Sequence, residues 1–175
     1  LRMLTNCGVK FAGRAVYQWG REEGGAIALP KKLELAKANA AKIHRADPEL
    51  MLQACIFEIV SRDVNDLPVP AWAFEGLGRP AEQRNFRYEA MVYPDRRDRD
   101  QWGQGASGPD VSRDETKLWF YYVAASYIDA GCEAIHLGHR GDGREDQVRP
   151  RRCPDVDLVD GPLLVDLGLL VGLVD

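Results

Sequence analysis

The stretch that most constrains the fold is Met51 to Glu58, MLQACIFE. It is a short apolar run of strand length, with a polar Gln53 inside it and a carboxylate, Glu58, at its exit. Residues 30–46 before it form a long amphipathic segment, and a loop rich in aromatic and charged residues follows. Helix, buried strand, then a chemically loaded loop is the order of a parallel α/β unit. In such units ligands sit beyond the carboxyl ends of the strands.

Two further strands are predicted. Residues 10–17 form the first, with Phe11, Ala15 and Tyr17 toward the covering helices and Lys10, Arg14 and Gln18 on the other face. A glycine-rich polar loop, Trp19 to Gly25, leaves its carboxyl end. Residues 133–138 form the third strand, with Ile135 and Leu137 facing helices and Ala134, His136 and Gly138 turned away. In the central strand a polar amide against a helix would be costly, so Gln53 belongs on the face away from it. The three strands together direct Arg14, Gln53 and His136 toward one shared interior.

Helices are expected over 30–46, 70–77 and 113–130. Pro30 suits the first turn of the first. Its apolar face is Leu33, Leu35, Ala36, Ala40 and Ile43, and Asp47-Pro48 ends it. Ser112 with Glu115 reads as a capping box for the last helix, and Gly131 as its left-handed terminus. Residues 79–112 show no regular period. Tyr93-Pro94-Asp95 suits the turn of a small hairpin, and a loop this long with this many aromatics points to a functional role.

Residues 1–139 thus read as one domain. Residues 140–175 draw on only nine residue types and end in a near-repeat of Val, Asp, Leu and Gly. Two readings fit that segment: a low-complexity tail with an apolar end, or translation in a shifted reading frame. Sequencing the DNA on both sides of codon 139, and finding no better continuation in another frame, would remove the second. A net charge of −4 with no long basic block argues against nucleic acid as the main partner. No apolar run approaches the roughly 20 residues that cross a bilayer, so no membrane partner is expected. Cys7, Cys55, Cys132 and Cys153 lack the spacing of a zinc site, and Cys55 and Cys132 read as small buried thiols. Reduced thiols and no visible secretory signal at Leu1-Arg2-Met3 point to the cytoplasm.

Five segments carry a resemblance: FAGRAVYQWG at 11–20, ACIFEIV at 54–60, NFRYEAMVYPD at 85–95, QWGQGAS at 101–107 and LWFYYVAASYIDAGCEAIHLG at 118–138. Together they resemble bacterial (β/α)-barrel proteins of the glycoside-hydrolase type. The likeness covers most of the first 139 residues and none of the tail. It implies a partial or truncated (β/α)8, TIM-type barrel, because only three strands are evident where eight are typical. It also implies a carbohydrate ligand. Exposed strand edges in such a piece would favour self-association.

Glycosidic cleavage commonly uses two carboxylates roughly 5–10 Å apart. Glu58, ending a strand, is the leading candidate, with Glu22 or Glu23 after the first strand as its partner; Glu89 and Asp110 rank lower. Each has a plainer reading, Glu58 as a partner of Arg62 or Arg14, Glu22 and Glu23 as solvated charges. Arg14, Gln53 and His136 line the expected substrate site. Trp19, Tyr88, Trp102 and Tyr93 offer flat faces on which sugar rings stack, or else they close over the core. No cofactor is expected, and no metal site. His136 and His139 are three apart on a strand and do not point the same way. A metal-assisted lyase or aldolase using His136 is the second reading, and a non-catalytic sugar-binding remnant the third. No Walker loop or GxGxxG follows a predicted strand, and no GxSxG elbow is present.

Overall fold

The computed structural model describes residues 6–18, 28–57 and 59–137; the side chains of Tyr17 and Gln18 are not included. The chain is mixed α/β. Strand β1 (Phe11–Gln18) is followed by helix α1 (Leu29–Ala46) and strand β2 (Met51–Ile56). A long excursion carries the short strand β3 (Val60–Ser61), helix α2 (Ala71–Glu75) and strand β4 (Ala106–Ser107). Helix α3 (Asp114–Asp129) and strand β5 (Ala134–Leu137) complete the described part. The main sheet has the order β1-β2-β5 with both pairings parallel, and β3 pairs antiparallel with β4. Among the described residues the sheet does not close into a barrel. No described helix is long and apolar enough to cross a membrane.

The helices cover one face of the sheet. Leu52, Ala54 and Ile56 of β2 are buried in one core with Leu29, Ala36 and Ala40 of α1 and Leu118, Tyr122 and Val123 of α3. Residue 53 falls on the opposite face, as its polarity requires. Helix α1 is amphipathic and starts with Pro30 in its first turn. It stops where Asp47, pushed out of helical backbone by Pro48, turns extended. Helix α3 is buried on more than one side, since the sheet flanks it and the 59–113 excursion wraps it.

The first strand departs from simple alternation. Ala12 pairs with Leu52 and Val16 with Ala54, so Gly13, Arg14 and Ala15 all lie opposite Gln53. This bulge puts Ala12 and Val16 against the helices. Phe11 and Ala15, expected there, are exposed instead. Arg14 sits in the middle of the bulge with φ +52°, a left-handed conformation uncommon for a side-chain-bearing residue. Its N–H donates to Gln53 Oε1 at 3.4 Å.

Two other expectations are corrected. Ser112 does not cap α3: its hydroxyl donates to Asp110 Oδ1 at 2.6 Å, and Arg113 occupies the cap without a side-chain capping bond. Glu115 is taken by arginine instead. The 79–112 stretch is not a hairpin around Pro94, although a turn does form there, with Arg96 N–H donating to Tyr93 O at 3.1 Å. It pairs with earlier parts of the excursion through β3-β4 and the single bridge Pro68–Asn85, and with itself through the single bridge Val92–Pro109.

Gly131 terminates α3 as expected. Its φ is +98°, its N–H donates to Ile128 O at 2.9 Å, and Cys132 N–H donates to Tyr127 O at 3.0 Å. Those two bonds are the Schellman pattern. A Cβ at this position would also lie 3.0 Å from Ala40 Cβ on α1. Gly131→Ala is therefore expected to lower stability by about 1–3 kcal/mol, from the left-handed backbone and the tight contact. Urea unfolding with an unchanged slope would measure it; no loss would show that the two helices are not this close.

Candidate functional site

The carboxyl ends of the three parallel strands define the region where a ligand is expected. Register fixes what shares the face away from the helices. Gln53 pairs with Ala134 and Cys55 with His136, so Gln53 and His136 lie on the same side of neighbouring strands. His136 is half-buried and so is Gln53. Arg14 is exposed and reaches Gln53 through its backbone N–H. The structure therefore brings Gln53 to the β1 bulge and puts His136 on the same face. It records no side-chain bond joining Arg14 to His136. Further toward the amino end, that face carries the paired Phe11 and Met51, each about half exposed at 47 % and 48 %.

Glu58, Glu22, Glu23 and Trp19 lie outside the described residues, as do Gly138, His139 and Cys153. Of the lower-ranked carboxylates, Glu89 is engaged by Arg99, whose Nη1 donates at 3.0 Å and holds the acid below its ordinary value. Asp110 accepts from the N–H and hydroxyl of Ser112. Both are tied into the excursion's own bonding.

Tyr88 is corrected from a stacking surface to a core residue. It is 0 % exposed, its hydroxyl is hydrogen-bonded to Ser107 Oγ, and the Arg62 and Arg99 guanidiniums stand 5.7 and 5.9 Å from its ring centroid. A ring enclosed in this way has no face left for a sugar. Tyr93 is half-buried, with the Arg97 guanidinium 3.8 Å over its ring, and burial pushes its hydroxyl up. Trp102 remains on the surface at 39 % exposure.

Sequence reasoning missed two features. One is the Arg84–Glu115 pair. Glu115 is 8 % exposed and accepts from Arg84 Nη1 and Nη2 at 2.7 and 2.8 Å and from Arg87 N–H at 2.9 Å. Bonding to Glu115, the largest influence, raises the guanidinium above its ordinary value. The other is the exposure of Trp72, 43 %, beside its ring contacts with Tyr121 and Tyr122 of α3. Trp72 adjoins the buried Ala73 and Phe74 in the short α2, and its side chain projects from a different side of the helix.

The amino end of the sheet is held by charges. Glu133 N–H donates to Leu52 O at 3.0 Å, and its Oε2 accepts from Leu52 N–H at 2.7 Å. His44 Nε2 lies 3.0 Å from the other carboxylate oxygen. Lys10 bridges Asp47 and Glu49, which raises the ammonium, and the Lys10 bond lowers Asp47. These contacts tie strand starts together on the side away from the expected ligand.

Cys55 and Cys132 are buried thiols, as their setting in the sequence suggested, and Cys7 is exposed. Burial, with Glu133 adding to it, pushes the Cys132 thiol up to about 11, so it stays protonated near neutral pH. Maleimide at pH 7.5 is expected to label Cys7 in the native chain and to reach Cys55 and Cys132 only in denaturant. Peptide mass spectrometry reads the sites. Equal native labelling of Cys132 would contradict its burial.

Among the described residues, no group of three or more His, Cys, Asp or Glu side chains is placed to hold a metal ion. Comparison with protein-family models, curated proteins and solved structures found no match.

Proposed function

We propose that the chain is an arc of a (β/α)-barrel and acts on carbohydrate, cleaving glycosidic bonds at the carboxyl edge of its parallel sheet. Support for the arc comes from winding. Spatial order follows chain order, β1-β2-β5, and the intervening helices cover a single face. One half of a doubly wound sheet shares this order and one-sided cover, so the choice of a barrel arc is carried by the resemblance. The step from that winding to a sugar substrate is an analogy, carried by the resemblance of segments within 11–138.

The single observation that carries the reading is the pairing of Gln18 with Ile56 at the carboxyl ends of β1 and β2. Glu58 follows Ile56 by two residues, and Glu22 and Glu23 follow Gln18 by four and five. Neighbouring strands lie about 4.8 Å apart, and a residue spans at most about 3.5 Å. Chain length therefore allows Glu58 and Glu22 or Glu23 the roughly 5–10 Å separation of a glycosidase pair. In this reading Glu58 is the leading carboxylate, and the half-buried Gln53 and His136 bind sugar hydroxyls on the face away from the helices. Arg14 adds a cation beside them, and Trp19 and Trp102 supply stacking surfaces.

The test is release of reducing ends from a panel of oligosaccharides by the full chain and by Glu58→Gln. The amide keeps the side chain's size but can neither attack nor exchange a proton. Turnover is expected to fall by about 100-fold or more, with sugar affinity largely kept. Unchanged turnover would remove Glu58 from the chemistry. Activity abolished by chelator instead would favour a metal-assisted lyase using His136.

A further inference from the structure

We propose that the groove between α1 and α3, beside Trp72, is a second carbohydrate-binding site, one that takes a neutral sugar ring between the helices. It rests on the carbohydrate reading above. The cavity has a volume of about 640 Å³ and is lined by Pro30, Leu33 and Lys37 of α1, Trp72 of α2, and Ser126 and Asp129 of α3, among others. That volume lies within the range of small-molecule sites, about 300–1,000 Å³.

Its shape follows from side-chain size. On α3 the wall is Ala125, Ser126 and Ala130, which extend little beyond Cβ, so a trough remains between the helices. Ser126 is turned back along its own helix, its hydroxyl donating to Tyr122 O at 2.7 Å. The Trp72 indole is backed by Tyr122, with ring centroids 5.6 Å apart, and by Tyr121 at 6.3 Å. Two supporting rings hold it in place, yet it keeps the exposure that Trp119 and Tyr122 do not.

The polar groups choose the ligand. Lys37 Nζ and Asp129 Oδ2 are paired at 3.0 Å across the groove, both largely exposed, and Glu34 also lines it. An apolar ligand would strip water from that pair without replacing its hydrogen bonds. An anion would meet two carboxylates against one ammonium. A pyranose presents a flat C–H face to the indole and hydroxyls around its rim, which donate to Glu34 and Asp129 and accept from Lys37. A compact cation over the indole is the competing class, and it is included in the test.

The experiment is calorimetric titration of the full chain, in the Glu58→Gln background so that nothing is consumed. Cellotetraose, xylotetraose, maltotetraose and chitotetraose are compared with tetramethylammonium. Saturable binding of one of the sugars is expected, weakened about tenfold or more by Trp72→Ala and much less by Trp72→Phe, with circular dichroism showing both variants folded. Equal sugar affinity in Trp72→Ala, no saturation by any of the four sugars, or tighter binding of tetramethylammonium would each overturn the site. The outcomes separate the two readings. Glycan cleavage lost with Glu58→Gln beside sugar binding indifferent to Trp72 ends only this proposal; Trp72-dependent sugar binding in a chain that cleaves no glycan ends only the hydrolytic one.

Discussion

Replacing Glu115 with alanine is expected to remove about 3–5 kcal/mol of folding stability. The carboxylate is buried at the start of α3 and accepts both outer nitrogens of Arg84 together with the Arg87 N–H. Without it, a guanidinium with a largely buried side chain is left facing the Phe74 ring, 5.1 Å from its centroid, with the exposed Glu82 as its remaining charged partner among the described residues. An uncompensated buried charge is the costly outcome, more so than the absence of a pair. Arg84→Met combined with Glu115→Leu should therefore recover most of the loss. Urea unfolding of the single and double variants measures the effect. A loss under 1 kcal/mol in the single variant would show that Arg84 reaches water.

Phe86→Ala is expected to cost a comparable amount, about 3–5 kcal/mol. Phe86 belongs to the stretch without regular structure, yet it is buried. Its ring stands edge-on to Trp119 at 5.1 Å and lies 5.3 Å from Tyr122, and its N–H donates to Leu67 O at 3.0 Å. Truncation would open a cavity against the middle of α3, and a domain's whole margin is only about 5–15 kcal/mol. The result bears on the role of the excursion. If residues 59–113 are built into the core, the variant melts early as one cooperative unit. If they are a detachable ligand loop, thermal unfolding barely moves.

The three parallel strands and three helices were legible because each has its own period and its own punctuation. Pro30, Asp47-Pro48 and Gly131 mark ends through local backbone chemistry that no distant residue overrides. The face of Gln53 was legible for the same kind of reason, since an amide is costly against a helix. What was not legible depends on partners far along the chain. Alternation in β1 failed because three residues stand opposite Gln53, and a bulge is a property of a pair of strands. The Ser112–Glu115 spacing suggested a cap, but Arg84, 31 residues earlier, offers the carboxylate two charged donors at once. Tyr88 looked like a surface ring because an irregular stretch gives no periodicity from which to read burial. Of the expected site, Gln53 and His136 share a face, Arg14 meets Gln53 through its backbone N–H, and Glu58, Glu22 and Glu23 lie outside the described residues.

Interstrand nuclear Overhauser contacts test the central claim, the register of the parallel sheet, most directly. Backbone contacts joining Gln53 with Ala134 and Cys55 with His136, advancing together along both strands, are the predicted result. Contacts that advance along one strand while retreating along the other, or a register slipped by one residue so that His136 turns to the helices, would contradict it.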